Sequence, residues 1–126
     1  MTGQRDLLID SHILIWSLYQ SDKLPARYKP ILESDDRTWI SVATIWEVEI
    51  KRVSGKLPLP ASIWEQASAV GHRVLVIKPE HAMLAANLPP HHADPFDRML
   101  AAQAIVEGMT ILTADDAIRR YEVAVA

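Results

Sequence analysis

The sequence contains no cysteine. This absence excludes disulfide bonds, thiolate metal sites and cysteine nucleophiles, and it is compatible with a reducing compartment. There is also no apolar run of the roughly 20 residues that a membrane-spanning helix needs, because Asp10 and His12 interrupt the first apolar stretch. The N-terminal segment is short and polar, unlike a signal peptide. We therefore expect a cytoplasmic protein that does not enter membranes.

Features of common phosphate-binding and nucleic-acid-binding proteins are missing as well. The sequence has neither a glycine-rich phosphate loop nor a dinucleotide fingerprint, and it contains only 4 glycines. Its net charge is −3, whereas a protein that holds nucleic acid by bulk charge is usually basic. The negative net charge therefore argues against a protein that only binds nucleic acid. It is compatible with a nuclease, because carboxylates that hold a metal ion themselves lower the net charge.

The 126 residues, 49% hydrophobic and 23% charged, are typical of one globular domain, which we expect to span residues 1–126. Short β-rich runs alternate with longer helical runs. The predicted strands are 7–9, 38–42, 73–77, 109–112 and 122–125. The predicted helices are 12–20, 25–33, 45–52, 61–70, 80–88, 95–108 and 115–121. This alternation predicts a three-layer α/β/α sandwich with a mostly parallel central sheet.

Acidic residues recur at the carboxyl ends of the predicted strands or at the start of the following helices. They are Asp10, Glu47, Asp94, Asp97, Asp115 and Asp116. Because the carboxyl ends of parallel strands lie at one edge of the sheet, we expect these side chains on one side of the molecule. Grouped carboxylates repel one another unless a cation neutralises them. Ligands that are all oxygen suit Mg²⁺ or Mn²⁺, and such ions activate water for phosphodiester cleavage.

Helix capping competes with metal binding as an explanation for several of these acids, because helix N-termini favour Asp and Glu. Asp94 is followed by Pro95, and capping explains it better than metal binding does. The same holds for Asp116 at the start of the last predicted helix. Asp97 fits either role. Asp10 has the weakest structural explanation, since it lies between two apolar segments.

Apolar surroundings lead to two further expectations. Glu47 lies beside Trp46 in an apolar stretch, where an unpaired carboxylate is costly, so we expect Glu47 to have a partner. Trp16 and Trp46 lie on apolar helix faces, which favours burial, and we expect both to belong to the core or to a dimer interface rather than to stack on bases.

Basic and histidine residues near the acids are candidate contacts for a phosphate. Lys51 and Arg52 belong to a basic stretch whose alternative explanation is a solvated helix end, where cations are favoured. We expect Arg98 either to contact RNA or to pair with a neighbouring acid. His91 and His92 stand in a proline-rich loop. We expect these histidines to be solvated or to touch a substrate phosphate rather than to bind a transition metal, because no thiol or well-spaced acid set accompanies them.

Four segments carry a resemblance to a known family. They are LIDSHILIW at 8–16, SVATIWE at 41–47, LPPHHADPFDR at 88–98 and LTAD at 112–115. In this order and spacing they resemble the PIN-domain family, and within it the VapC-type toxins. The similarity runs from about Leu7 to the C-terminus, and its most specific part is Asp-Pro-Phe-Asp-Arg followed by an apolar helix. Ser11 stands where Thr is commoner in the family, and both residues carry a hydroxyl.

The resemblance implies a set of four catalytic, metal-binding acids: Asp10, Glu47, Asp97 and Asp115. Asp94 is similar to an extra acid of this subgroup that either supports the metal or caps the helix. Ser41 and Thr113 match hydroxyls that orient the carboxylates.

The activity implied by the resemblance is hydrolysis of RNA phosphodiester bonds with Mg²⁺ or Mn²⁺, leaving a 5′-phosphate and a 3′-hydroxyl. The implied partners are an RNA substrate, a cognate VapB-like antitoxin and a second copy of the chain, in a homodimer or a dimer-based higher oligomer. Two alternatives stay open: a catalytically inactive or non-toxin PIN-like module that binds RNA or a protein, and a PIN nuclease outside any toxin system. The filled acid positions favour the enzyme, since an inactive module is expected to lack at least one of them.

Overall fold

The computed structural model describes residues 4–121 and 123–126. Within these residues the strands are β1 (Asp6–Ile9), β2 (Arg37–Ser41), β3 (Arg73–Leu75) and β4 (Thr110–Leu112). The α-helices are α1 (Ser11–Leu18), α2 (Lys29–Leu32), α3 (Val42–Val53), α4 (Ile63–Ala69), α5 (Pro79–Asn87) and α6 (Pro95–Glu107). Two 3₁₀ helices cover Ala26–Tyr28 and Asp116–Arg120. No helix in the described part of the chain is both long and apolar enough to cross a membrane.

The four strands form one parallel sheet in the order β3-β2-β1-β4. The chain runs from β1 outward through β2 to β3, and then returns to place β4 on the other side of β1. The order of the strands therefore reverses at β1, where Ile9 is paired with Leu112 of β4. Open parallel sheets bind ligands outside the carboxyl ends of their strands, at such a reversal point. The topology therefore predicts a ligand-binding site at the residues that follow β1 and β4.

Strand β1 is buried on both faces and contributes to two separate cores. Leu7 and Ile9 pack in the cluster that includes Ile13 of α1, whereas Leu8 packs with Leu100 of α6. Successive side chains of a strand point to opposite faces, and all three strand residues are 0% exposed. Each buried leucine or isoleucine contributes roughly 1.5–3 kcal/mol. The predicted three-layer α/β/α sandwich around a parallel sheet is confirmed.

A buried tyrosine anchors the end of β4. The Tyr28 hydroxyl lies 3.0 Å from the carbonyl oxygen of Thr113 and 2.9 Å from that of Ala126, and it accepts a hydrogen bond from the Thr113 amide. The ring is 0% exposed in the first core. Tyr28 therefore fixes the backbone of Thr113, the residue that directly follows β4.

Two element boundaries differ from the prediction because of local backbone chemistry. The predicted helix 25–33 is instead a 3₁₀ turn followed by α2, with Pro30 near the start of α2. Proline has no amide hydrogen and clashes with the preceding turn, so one continuous helix through Pro30 is disfavoured. The predicted helix 45–52 begins earlier, at Val42, because the Ser41 hydroxyl caps it by accepting from the Ala43 amide at 3.0 Å.

Two strand predictions were too long. Strand β3 ends at Leu75 rather than at residue 77, because its partner β2 ends at Ser41, which is paired with Leu75, and then turns into α3. Of the predicted strand 122–125, Glu122 lies outside the described residues. The remaining segment forms one isolated parallel bridge, between Val125 and Ile111.

We expect Tyr28→Phe to lower the free energy of unfolding by about 1–3 kcal/mol, because it leaves buried backbone groups at Thr113 without a partner. Urea denaturation followed by circular dichroism measures this change. Tyr19→Phe is the matched control, since Tyr19 is 41% exposed and a surface change of this kind shifts stability by less than about 0.5 kcal/mol. Equal stability of both variants would contradict the anchoring role of Tyr28.

Candidate active site

A cleft of about 480 Å³ opens beyond the carboxyl ends of β1 and β4. All six acids singled out in the sequence line it: Asp10, Glu47, Asp94, Asp97, Asp115 and Asp116. A larger cavity of about 900 Å³ lies near the amino ends of β2 and β3, where Arg37, Thr38 and Arg73 contribute to its wall. The smaller cleft is the better candidate site, because it lies at the ligand-binding edge of a parallel sheet and gathers the carboxylates.

Asp10 is held in place from both sides of the point where the strand order reverses. One carboxylate oxygen caps α1 by accepting from the Ile13 amide at 2.9 Å. The other accepts from the Thr113 hydroxyl and, at 3.3 Å, from the Ala114 amide. Burial raises the pKa of Asp10, and these hydrogen bonds oppose the rise. With only 3% of the residue exposed, its orientation is fixed by the protein.

Glu47 enters the cleft from α3. The Ser41 cap starts this helix directly at the end of β2, which brings Glu47 to the same edge of the sheet as Asp10. Glu47 is 8% exposed, and its Oε2 accepts from the Lys51 ammonium at 3.1 Å. The expectation that Glu47 has a partner is therefore confirmed. The Ser41 hydroxyl, predicted to orient a carboxylate, acts here on the helix that carries Glu47.

His92 joins the other two predicted metal-binding acids. Its Nε2 lies 2.9 Å from Oδ2 of Asp97, in the first turn of α6, and 2.7 Å from Oδ2 of Asp115, which follows β4. The Asp115 amide donates to the Thr113 hydroxyl at 2.9 Å. Potential ligand atoms of His92, Asp97 and Asp115 all lie within 4.8 Å of one another. The hydroxyl of Thr113 thus contacts the carboxylate of Asp10 and the backbone amide of Asp115, and its role as an orienting group for a metal site stays a prediction.

The capping expectations have different outcomes. Asp94 caps α6, since its Oδ1 accepts from the Phe96 amide at 2.8 Å, and this prediction is confirmed. The predicted cap by Asp116 is wrong. The last 3₁₀ helix is capped instead by Asp115, whose Oδ1 accepts from the Ala117 amide at 2.8 Å. The side chain of Asp116 is 99% exposed.

Crowding of negative charge dominates the electrostatics of the cleft. Burial, followed by the nearby charge of Asp94, raises the pKa of Asp97 from 3.8 to about 7. Burial opposes protonation of His92, but its hydrogen bond to Asp115 and the charge of Asp97 raise the pKa of His92 overall. Burial of Asp115 is outweighed by the hydrogen bond from His92, which lowers the pKa of Asp115. Near neutral pH a positive charge in the cleft, from a proton or a bound cation, would therefore stabilise these carboxylates.

The three candidate basic residues differ in their orientation. Lys51 lines the cleft. Arg52 is paired with Glu49 at 2.6 Å and is not among the residues of the cleft wall. The Arg98 guanidinium donates to backbone carbonyl oxygens of the segment before α6, including that of Leu88 at 2.9 Å. RNA contacts by Arg52 and Arg98 stay predictions, and the structure brings only Lys51 to the acids.

The core position that was one alternative for Trp46 is wrong, whereas its place in a dimer interface stays a prediction. Trp46 is 64% exposed and packs edge-on against Phe96, with ring centroids 5.5 Å apart. The buried side of α3 is formed by smaller or polar residues: Ala43, Thr44, Glu47 and Val48. Trp46 lies on the opposite side of this helix. Trp16 is partly buried against the first core, in line with the prediction, and also borders the cleft.

His92 is the site residue whose role the sequence did not reveal. The sequence predicted a solvated histidine pair, whereas the structure places one of the two rings between Asp97 and Asp115. The available signal was position: His92 stands shortly before Asp94 and Asp97, in the segment with the most specific resemblance. Position alone does not distinguish His92 from His91, whose ring stacks on Tyr121 at 5.1 Å.

Comparison with known sequences places these residues in a family. The family model described as PIN domain matches residues 7–124. The curated protein ribonuclease VapC22 from Mycobacterium tuberculosis is 30% identical to this chain in an alignment of 122 residues, and the match covers 91% of this chain and 91% of the relative.

Solved structures with the same fold agree with that match. The VapBC2 complex from Rickettsia felis, bound to a promoter DNA fragment, has a TM-score of 0.70 at 11% identity and covers 96% of this chain and 97% of that chain. FitAcB from Neisseria gonorrhoeae has a TM-score of 0.68 at 20% identity, with 94% and 95% covered. A toxin–antitoxin complex from Klebsiella pneumoniae has a TM-score of 0.68 at 19% identity, with 95% of both chains covered. The chain belongs to the PIN-domain family.

Proposed function

We propose that this chain is a metal-dependent endoribonuclease, one domain over residues 1–126, that acts in the cytoplasm as the toxin of a VapBC-type toxin–antitoxin module. The observation that carries the proposal is the meeting of Asp10, Glu47, Asp97 and Asp115 in one cleft of a PIN-domain fold. The relative named as a ribonuclease supports the activity. The related structures solved as toxin–antitoxin complexes support the partner.

The donor set fits a hard divalent cation. Asp10, Glu47, Asp97 and Asp115 supply carboxylate oxygens, the ligands that Mg²⁺ and Mn²⁺ prefer. Burial and then the charge of Asp94 raise the pKa of Asp97, so its negative charge is unfavourable in the cleft, and a nearby cation would offset both effects. Asp94 lies close enough to act on Asp97, so it supports the ion by charge while it caps α6. When bound, the ion activates water and stabilises the charge that develops in phosphodiester hydrolysis.

The protein's own contribution is to orient the acids and to receive the RNA. Thr113 and the Ile13 amide hold Asp10 so that its carboxylate faces the cleft. Lys51, which lines the cleft beside Glu47, is the basic residue best placed to contact an RNA phosphate. Arg52 and Arg98 are weaker candidates for this contact, because Glu49 and backbone carbonyls already accept from their guanidinium groups.

An exposed apolar stripe on α3 supports a protein partner. Val42, Trp46, Ile50 and Val53 are between 37% and 75% exposed and recur at helical spacing. Exposed apolar patches of this kind mark protein interfaces. The expected partners are a VapB-like antitoxin and a second copy of the chain in a homodimer or a dimer-based higher oligomer.

A PIN-like module that binds RNA or a protein without cleaving is the alternative. The geometry favours the enzyme, because the structure brings all four predicted acids to one cleft rather than leaving one of them apart. The cleavage experiment below separates the two functions.

We expect Asp10→Asn to lower metal-dependent RNA cleavage by roughly 100-fold or more, because the substitution removes a charge from the proposed metal site and keeps the side-chain volume. This loss is larger than the usual effect of changing a residue that only contacts a metal ligand. The assay incubates purified protein with total bacterial RNA and Mg²⁺ or Mn²⁺, with EDTA as the metal-free reference. Asp35→Asn, an exposed acid outside the cleft, is the control. Wild-type rates in Asp10→Asn would refute the metal site. No cleavage by the wild type would support the binding module.

We expect Asp97→Asn to raise the melting temperature in EDTA by several degrees at pH 8 and by less at pH 5. The pKa of Asp97 is raised in the fold from 3.8 to about 7, so the folded state binds a proton more tightly than the unfolded state. The stabilisation from that proton is complete below about pH 4 and is lost as pH rises through 7. Thermal melts across this range test the sign.

The same melts with Mn²⁺ added provide the control for Asp97→Asn. The ion is expected to raise the melting temperature of the wild type more than that of the variant, because ligands that bind only the native state stabilise it. A variant that is less stable than the wild type in EDTA at pH 8 would contradict the charge crowding described for the cleft.

Expression of the wild-type chain alone is expected to arrest bacterial growth, whereas Asp10→Asn at an equal protein level is expected to be harmless. Growth curves with immunoblots measure both. Co-expression of the cognate antitoxin is expected to restore growth. If the wild type is harmless even at a high expression level, the toxin role is contradicted, but the nuclease activity is not.

A further inference from the structure

We infer that His92 is a positioning residue that orients Asp97 and Asp115 for the cation, and that Arg98 holds the loop that carries it. This loop comprises residues 88–92 and is called here the histidine loop. The inference rests on the metal site proposed above and adds to it a determinant of metal affinity.

The two acids come from different parts of the fold and meet at one imidazole. Asp97 belongs to α6, and Asp115 follows β4. The Nε2 atom of His92 lies 2.9 Å and 2.7 Å from their Oδ2 atoms, which are hydrogen-bonding distances. Since the His92 side chain is only 17% exposed, water competes little for these contacts. The ring therefore fixes the separation and the rotation of both carboxylates.

The other ring nitrogen determines how His92 acts. Its Nδ1 accepts a hydrogen bond from the Asp94 amide at 3.0 Å, so Nδ1 must carry a lone pair. The ring proton then lies on Nε2, the atom that faces the carboxylates. A nitrogen that binds a metal needs a free lone pair there instead. In this geometry His92 donates to metal ligands and is not itself a ligand, and donors of this kind orient ligating groups.

Arg98 fixes the main chain of the histidine loop. Its guanidinium donates to the carbonyl oxygens of Leu88 at 2.9 Å and Pro89 at 3.1 Å, and to the Tyr121 hydroxyl at 3.3 Å. That hydroxyl in turn accepts from the His92 amide at 3.1 Å. A guanidinium has several donors in a rigid plane, whereas a lysine ammonium is a compact point charge that does not span these acceptors.

The position of Arg98 on α6 gives this arrangement a functional consequence. Arg98 directly follows Asp97, so one helix turn carries both a metal-binding acid and the clamp of the loop that orients it. A change at Arg98 is therefore expected to reach the metal through His92. It does not need to touch the ion.

The test is Mn²⁺ binding by isothermal titration calorimetry with the full chain. His92→Ala is expected to raise the Kd for Mn²⁺ roughly 10- to 100-fold, the usual effect of removing a group that orients a metal ligand. Asp35→Asn is the control: Asp35 is exposed and outside the cleft, and the Kd of this variant is expected to equal that of the wild type. Asp97→Asn identifies the heat that belongs to this site.

Further variants separate positioning from loss of folding. His92→Gln retains a side-chain N–H donor and is expected to recover part of the affinity that His92→Ala loses. Arg98→Lys is expected to weaken Mn²⁺ binding in the wild-type background but to add little in His92→Ala, because both changes act through the same ring. Circular dichroism and thermal melts establish that each variant is folded before its Kd is compared.

The outcomes distinguish the inference from the proposed function. Absence of site-specific Mn²⁺ heat in the wild type would refute the metal site itself. Wild-type binding with an unchanged Kd in folded His92→Ala would refute the role of His92 alone. Tighter binding in His92→Ala would also overturn it, because the imidazole would then compete with the ion. Additive effects of Arg98→Lys and His92→Ala would refute the link between the clamp and the ring.

Discussion

Repulsion between carboxylates is the constraint that the cleft and its surroundings have to satisfy. Burial and neighbouring charge raise the pKa of Asp97 to about 7, so the fold tolerates these acids at a cost in stability. The protein limits this cost with fixed donors: the Thr113 hydroxyl for Asp10, Lys51 for Glu47, and the ring of His92 for Asp97 and Asp115. Binding sites commonly retain such unfavourable groups because function requires them.

The same groups also serve the fold, so structural and functional explanations of a residue do not exclude each other. Asp10 caps α1 with one oxygen and also lines the cleft, and Asp115 caps the last 3₁₀ helix while it accepts from His92. A cap needs one carboxylate oxygen, and the other remains free for a different partner. Capping and cation binding are therefore compatible roles for one aspartate, although the sequence presents them as alternatives.

The sequence was sufficient where local pattern and sheet topology determine position. Alternating strands and helices predicted the parallel sandwich, and the acids after β1 and β4 were correctly placed at one edge, because Asp10 and Asp115 follow those strands directly. The Asp94 cap was predictable from Pro95 after it. These features depend on neighbours in the chain or on the rule that parallel strands end together.

What the sequence did not reveal depends on contacts between distant segments. The exposure of Trp46 follows from which side of α3 packs inward, and both sides contain apolar residues. The length of β3 follows from where its partner β2 ends. The roles of His92 and Arg98 arise from a loop folded back onto α6 and Tyr121. No spacing in the sequence encodes such contacts.

The acids of the cleft therefore form two groups that different parts of the fold hold in place. Asp10 and Asp115 are held through Thr113, whose backbone is fixed by Tyr28 in the buried core. Asp97 faces them from α6, and its link to Asp115 runs through His92 on the histidine loop. Loops are more mobile than the elements that they connect, and the main chain of this one is held by the Arg98 guanidinium and by the Tyr121 hydroxyl. Disturbing the loop should change how well the two parts fit a common ion, while the core that supports Asp10 stays intact.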